Sequence, residues 1–544
     1  MPVAAPRASR AKPFAGAIAL GLLALLAGVA LFSLAFEAAQ GGMQSFAAFD
    51  AYLWRIARFT LWQALLSTAL SVCLAIPVAR ALHSNASFPG RNLILRLFAL
   101  PLALPALVVV LAITGIYGRN GLIAHMATFT GFAFEPNIYG LTGILLAHVF
   151  FNLPLAVRLL LSAFDSIPED YWKLSAQLGM GGIAQFRLIE WPVIARNLPG
   201  IAGLIFMLCV TSFTVVLTLG GGPRATTLEV AIYQALHFDF DISRAVALTL
   251  AQLAMTIAIL ILLGLAGKPS EEGFSLATRS RRYDRPGSLQ RAGDAIAILL
   301  AFAFVSIPLG GLVVSGLTAD LARLLSEAAV WRAMRNSFLV ATAAALLSVT
   351  LSFTLVAARE AVASPQRGRP ASLFERMLGT GAGLILVVPP IIIGAGWFIL
   401  LRNFADPFHF AAPMVIAVNA AMAMPFAVRV LRPAYDTAAA RHNRLCEQLG
   451  ISGWNRFRLI DWPAMSKAFG IAFAFAMALS LGDLGTIALF GSDAVQTLPY
   501  LLLQRMGSYR TFDAAGLALI LGLLCLGLMI LADRASQTLP ETPQ

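Results

Sequence analysis

Gln177-Leu178-Gly179, followed by Phe186-Arg187-Leu188-Ile189-Glu190-Trp191-Pro192, returns as Gln448-Leu449-Gly450 and Phe457-Arg458-Leu459-Ile460-Asp461-Trp462-Pro463, every paired position 271 residues apart. The register extends upstream, where Pro154, Ala156-Val157-Arg158 and Asp165 match Pro425, Ala427-Val428-Arg429 and Asp436. A repeat of this length at one offset is a domain duplication. The repeated segment is hydrophilic while almost everything around it is apolar, so it reads as one loop present at two equivalent places.

The surroundings set the class. Of 544 residues, 59% are hydrophobic and 12% charged, against about 25% charged in soluble domains, and mean hydropathy is +0.80. Apolar stretches of roughly 20 residues, enough to cross hydrocarbon as helices, fall near 14–36, 56–80, 94–116, 138–162, 199–219 and 243–266. Six more fall near 293–316, 336–358, 380–401, 411–433, 468–490 and 511–532. This is an all-α polytopic membrane protein with twelve expected transmembrane helices, six per half.

Net charge +12 is spread over short loops and not gathered on a soluble module, which argues against a nucleic-acid binder. With the N-terminus in the cytosol, 28 of the 39 basic residues lie in cytosolic segments, as the positive-inside rule requires. Arg7, Arg10 and Lys12 then hold the start inside, both repeated loops face the cytosol, and so does the C-terminus. The first apolar run, about 22 residues, exceeds the h-region of a signal peptide and reads as a retained anchor. Cys73, Cys209, Cys446 and Cys525 have no ligand-like spacing, so neither disulfide nor metal site is expected.

Lys268 to Arg291, polar and punctuated by Pro269, Pro286 and Gly287, is a linker between halves. It joins two cytosolic span ends, so the repeats are parallel and not inverted. The expected organisation is a tail, first span and outer loop over 1–55; a first transmembrane domain over 56–266 with loop 163–198; and a linker over 267–292. A seventh span and outer loop follow over 293–335, then a second domain over 336–533 with loop 434–467, and a cytosolic tail over 534–544.

Each loop begins with a short amphipathic stretch, Tyr171 to Leu178 or Arg441 to Leu449. Gly179 and Gly450 are placed to stop that helix in the left-handed conformation. Trp191-Pro192 and Trp462-Pro463 suit a restart toward the membrane, with Trp at headgroup level and Pro in a first helical turn. Two copies imply a partner with two equivalent sockets.

These residues resemble the cytosolic signature of permease subunits of type I ABC importers: Glu-Ala-Ala, three residues, Gly, nine residues, Ile, any residue, Leu, Pro. Gly179, Ile189 and Pro192, and again Gly450, Ile460 and Pro463, keep the spacing. The leading Glu falls on Lys173 and Arg444, and Trp replaces the Leu before Pro, so the family's Glu-mediated contacts do not carry over. The resemblance implies the type I ABC importer transmembrane fold and a coupling role for Gln177, Leu178, Gly179, Ile189, Pro192 and for Gln448, Leu449, Gly450, Ile460, Pro463. It further implies an ATP-binding cassette subunit in two copies, an extracytoplasmic solute-binding protein, and a place in a bacterial inner membrane. The chain has no GxxxxGK[ST] motif, so ATP and Mg belong to the partner, and no cofactor or catalytic residue is expected here. The glycines of Leu219-Gly220-Gly221-Gly222-Pro223 read as a turn at a span end.

Thr218 to Tyr233, and Gly482-Asp483-Leu484-Gly485-Thr486 with Thr497-Leu498-Pro499 and Met506-Gly507-Ser508-Tyr509-Arg510, resemble the fused permeases for thiamine, with ferric-iron permeases as near relatives. A thiamine or thiamine phosphate cargo is the implied reading; ferric iron or another small cation is the alternative within the class. Alternating access driven by ATP is the implied mechanism, with outer loops 37–55, 220–242 and 491–510 receiving the binding protein.

Ionisable groups inside a membrane are functional candidates because their burial is costly. Asp483 falls in the predicted eleventh span and pairs by offset with Ser212. It can attract a cation in the path, or serve as a structural acid hydrogen-bonded to backbone and hydroxyls. His148 and Asn419 form another offset pair and can line the path or tie helices together. Asn152 extends the first stripe, whereas Ala423 stands at its partner position. Pro77, Pro101, Pro105, Pro389 and Pro390 interrupt apolar spans and can bend them. An ion-gradient-driven twelve-helix transporter, the reading from a different class, leaves the twin loops unexplained.

Overall fold

A computed structural model of the chain describes residues 11–47, 50–119, 121–130, 137–266, 287–363, 372–491 and 495–537. Arg7, Arg10, most of the linker, part of the outer loop at 491–510 and the end of the C-terminal tail lie outside these residues. Among the described residues all regular structure is helical. The first half supplies α1 (Ala11–Ala47), α2 (Ala51–Ser84), α3 (Arg91–Leu97), α4 (Leu100–Ala103), α5 (Ala106–Tyr117), α6 (Leu122–Phe129) and α7 (Leu141–Asp165). It continues through α8 (Glu169–Gln177), α9 (Gly182–Gln185), α10 (Trp191–Val210), α11 (Phe213–Leu219), α12 (Leu228–His237) and α13 (Ile242–Ala266). The second half supplies α14 (Ser288–Thr318), α15 (Leu321–Ser326), α16 (Ala328–Ala363), α17 (Leu373–Leu384), α18 (Pro390–Arg402) and α19 (Ala411–Leu449). It closes with α20 (Gly453–Arg456), α21 (Trp462–Gly482), α22 (Gly485–Phe490), α23 (Leu498–Gly507) and α24 (Thr511–Gln537).

Eleven helical stretches among the described residues are long and apolar enough to cross a membrane. The predicted span 380–401 is delivered in pieces, α17 and α18, separated at Pro389-Pro390. A residue before proline is pushed out of the helical region, and Pro389 accordingly sits at φ −53°, ψ 145°. The third span breaks for the same reason, because Leu104, ahead of Pro105, is extended and separates α4 from α5. Pro77 instead lies inside a continuous α2.

Spans five and eleven also depart from expectation, at both ends. Helix resumes at Gly182 and Gly453, nine residues before the anticipated restarts at Trp191 and Trp462. Both spans then stop short, α10 at Val210 and α21 at Gly482, and the buried short helices α11 and α22 follow.

The chain divides into two compact units. One comprises residues 49–231 and 254–319; in it α2 packs on α7 and α10, and α14 packs on α2 and α5. The other comprises residues 1–48, 232–253 and 320–544, built on α16 against α19 and α21, with α24 beside α21. Here α1 lies along α16 and α18 at close range. A Cβ on Gly16 would run into the Ala358 methyl group, and the Trp397 indole Nε1 donates to the Leu26 carbonyl at 2.9 Å. Small residues permit such approach between membrane helices. The first span therefore packs with the second repeat's helices, and the seventh with the first repeat's.

Candidate functional site: two repeated loops and a polar layer

In the first loop, α7 stops at Asp165 because Ile167 precedes Pro168, and α8 starts with Glu169 and Asp170 in the turn where negative charge suits the helix dipole. Its inward face carries Trp172, fully buried, against the His83 ring at 5.5 Å; His83 in turn lies 5.3 Å from Phe164. Ser175, one turn along, is also buried and receives the Gln185 amide at 3.4 Å.

The turn that ends α8 is the predicted one. Gly179 has φ +61°, its N–H donates to the Ala176 carbonyl at 3.2 Å, and the Met180 N–H reaches back to Ser175 at 3.0 Å. That pair of bonds is a Schellman motif. Gly450 repeats it at φ +63°, with its own N–H on Glu447 at 3.4 Å and the Ile451 N–H on Cys446 at 2.9 Å.

Beyond each turn the Phe-Arg-Leu-Ile-acid core forms a π-helical turn, Phe186–Glu190 and Phe457–Asp461. In each, the following Trp N–H donates five residues back, Trp191 to Phe186 and Trp462 to Phe457. Proline clashes with the carbonyl four residues earlier in a regular helix, so the wider turn lets Pro192 and Pro463 follow without a break. Such π turns inside helices are frequent at functional sites.

The acid closing each π turn is buried and paired, by different partners. Glu190 accepts from Arg80 Nε at 2.6 Å, while Arg80 Nη2 donates to the Gly182 carbonyl at 2.8 Å and the guanidinium lies 5.2 Å from the Phe186 ring centre. Asp461 accepts from Arg456 Nε at 3.3 Å, and Arg456 Nη2 donates to the Asn443 side chain at 2.6 Å. At the offset, Arg456 stands where the first copy has Gln185, and Asn443 where it has Trp172.

What the loops present outward is apolar at the same five offsets in both. Leu174, Leu178, Ile183, Leu188 and Trp191 are exposed, and so are their offset partners Leu445, Leu449, Trp454, Leu459 and Trp462. Ile183 is 86% exposed and Trp454 71%, far from interior packing. Contiguous exposed apolar groups mark interaction surfaces. Gln177, Leu178, Gly179 and Pro192 are exposed, as are Gln448, Leu449, Gly450 and Pro463. Ile189 is buried and Ile460 half-buried, so neither belongs to the exposed set.

In the apolar layer, Asp483 and Ser212 occupy the same break, between α21 and α22 and between α10 and α11. The Asp483 carboxylate accepts from the Gly485 N–H at 3.2 Å and the Thr486 N–H at 3.4 Å, capping α22; Ser212 makes no such side-chain cap. His148 Nδ1 meets the Ser67 hydroxyl at 2.9 Å. Asn419 donates to Ser480 Oγ at 2.9 Å. In the first half the tie between spans four and five comes from Asn152, whose amide reaches Cys209 Sγ at 3.3 Å, and Cys209 is the offset partner of Ser480. Within each half these groups act as caps and interhelical ties. Among the described residues no cluster of three His, Cys, Asp or Glu is placed to hold a metal ion.

The sequence reading does not reach Arg80, Trp172, Tyr435 or Glu229. Glu229 is buried on α12 with its Oε1 unpartnered. The i, i+3 spacing of Trp172 and Ser175 signals an inward face; nothing local signals Arg80, which stands 110 residues from its partner.

Residues 71–268 and 369–539 match the family model for the binding-protein-dependent transport system inner membrane component. The chain is 67% identical to the thiamine transport system permease protein ThiP of Brucella abortus, over 97% of this chain and 96% of that protein. Identity to the ThiP of Escherichia coli is 43% over 89% of each chain. The protein of the same name from Haemophilus influenzae is 38% identical over 94% of each.

Proposed function

Because the chain belongs to the family of binding-protein-dependent transport system inner membrane components, and is a multi-pass membrane permease with two matched halves, we propose that it imports thiamine or a phosphorylated form, driven by ATP hydrolysed on a separate subunit. The cargo follows the name borne by relatives similar over nearly the whole chain. The coupling reading is carried by one observation: five exposed apolar residues recur at one offset on two loops that share the same turn and the same π insertion.

In this reading a dimeric ATPase offers one groove to each loop. Closure of the dimer moves α8 and the end of α19, and the π turns hand that movement to α10 and α21, which continue into the apolar layer. Nucleotide and a loaded binding protein on the outer face bias the two states by binding them unequally. The chain supplies movement and a path, not bond chemistry. Both termini lie in the cytosol, and residues 163–198 and 434–467 are the coupling loops.

The test is uptake of labelled thiamine into vesicles containing the chain, its ATPase subunit and the binding protein. ATP-dependent uptake that vanishes when Leu178 and Leu449 are both changed to Asp, with the chain still inserted, supports the reading. Uptake that persists without ATP and collapses on dissipating an ion gradient rejects it in favour of secondary transport. Failure of thiamine to compete, with ferric iron competing instead, overturns the cargo alone.

A further inference from the structure

The two buried loop acids need cations, and the two halves find them in different places. In the first, Arg80 on α2 supplies one to Glu190. The register between α2 and α16 is set by a shared bond: Thr60 Oγ1 accepts from the Leu228 N–H at 3.1 Å, and Ser337 Oγ accepts from the Leu498 N–H at 2.7 Å. By that register Arg80 falls opposite Ala357, so α16 brings no charge to the corresponding place. Arg359, two residues on, pairs with Asp436 at 3.5 Å instead. Arg456, from the loop itself, pairs with Asp461.

A second cation arrives from a distant part of the chain. Lys12, in the first turn of α1, donates from Nζ to Tyr435 Oη at 2.9 Å. Tyr435 is almost fully buried; its ring packs on Phe353 at 5.8 Å, and Phe353 lies 5.5 Å from Phe457, the first residue of the π turn. Gly16, one turn beyond Lys12, is the point of backbone-close approach to α16, which fixes where the lysine is delivered.

We propose that Lys12 is a positioning residue for the second coupling loop, a strut from α1 that holds the end of α19 through Tyr435 while Arg456 pairs with the loop acid. This rests on reading 434–467 as a coupling loop. Removing the strut loosens the end of α19 and the π turn behind it, while the first loop, held by Arg80 and Trp172, keeps its place.

A native thiol reports on this without any need for transport. Cys446 is buried on α19, four residues before the Gly450 turn. In the full chain assembled with its ATPase subunit, alkylation of Cys446 by a maleimide is followed by peptide mapping, with amide exchange over residues 172–190 as the internal control. Lys12→Met is expected to raise the Cys446 rate about fivefold or more, as loss of a charge-assisted bond would, with exchange over 172–190 unchanged. Loss of a nearby cation by itself makes a thiol less reactive, so acceleration reports opening. Lys12→Arg restores the slow rate, and Tyr435→Phe, which keeps the ring and removes the acceptor, raises it by less. An unaltered Cys446 rate in Lys12→Met and Tyr435→Phe, or equal loosening of both loops, overturns the strut. Should Lys12→Met fail to insert, Tyr435→Phe decides alone. If Cys446 opens as expected while ATP-driven thiamine uptake is untouched, the strut stands and the coupling role of this loop falls.

Discussion

The first loop and the second follow the same backbone course through the turn at Gly179 or Gly450 and the π turn at Phe186 or Phe457, yet they are fastened to the protein by different chemistry. The first is a separate helix, α8, set off by Pro168 and held by Trp172 in an aromatic pocket. The second is the last part of α19, which runs unbroken from Ala411 to Leu449 because Ala438, Ala439 and Ala440 stand where the first copy has Ile167, Pro168 and Glu169. Asn443 replaces the tryptophan, and two polar pairs, Arg456 with Asp461 and Lys12 with Tyr435, stand in place of the pocket. After duplication, then, the outward features stayed alike while the inward ones diverged. That is the pattern expected when a partner reads the outside and only packing constrains the inside.

The sharpest way to break this comparison is to remove the first loop's cation. Arg80→Met breaks the 2.6 Å ion pair of the fully buried Glu190, a loss of up to about 3–5 kcal/mol, so the assembled complex should be lost on mild heating. Arg456→Met in the second loop should do less, because the pair it breaks is longer, 3.3 Å against 2.6 Å. Thermal unfolding of the two variants in detergent, side by side, checks this, and equal losses would remove the distinction between the anchors.

Next in size is the aromatic anchor. Trp172→Ala should destabilise by about 3–5 kcal/mol, whereas Asn443→Ala, which removes one half-buried hydrogen bond to Arg456, should cost roughly 1 kcal/mol. Limited proteolysis of each loop measures the difference. A first loop that stays protected in Trp172→Ala would mean the pocket is not what holds it.

The turns should respond equally. Gly179→Ala and Gly450→Ala each force a Cβ into the left-handed region, at about 1–2 kcal/mol, and ATP-driven uptake should fall to the same extent in both. A large effect at one turn only would show that the partner does not treat the loops as equivalent. Smallest of all is Pro168→Ala, which should let α7 and α8 join as α19 does, changing stability by about 1 kcal/mol or less. Spin labels on either side of residue 168 would register the straightening.

Much of the site is legible in the sequence because the duplication makes it so. The offset locates both turns, which depend on local backbone chemistry, and pairs Ser212 with Asp483, but the breaks beside those two residues and the burial of Glu190 and Asp461 appear only in the structure. Hydropathy finds the positions of the spans but not their ends, because Gly182–Val210 contains a charged loop segment that an apolar run excludes. Nor does it reveal that 380–401 is split, although Pro389-Pro390 is the cause. Ile189 matches the family spacing and is grouped on that ground with the coupling surface, yet it is buried: a motif records which residues recur, not which way they point. The anchors Arg80 and Lys12 are out of reach for another reason. Their partners lie 110 and 423 residues away, and no periodicity links them.

The parentage of the two units has a consequence for the gene. A cut within the central linker would send α1 away on one fragment while α16 and α18, the helices it lies along, leave on the other; α14 would be stranded from α2 and α5 in the same way. Neither fragment could complete itself. Encoding both halves in a single reading frame removes the problem of finding the right mate, because each stray helix is born tethered to the chain that houses it.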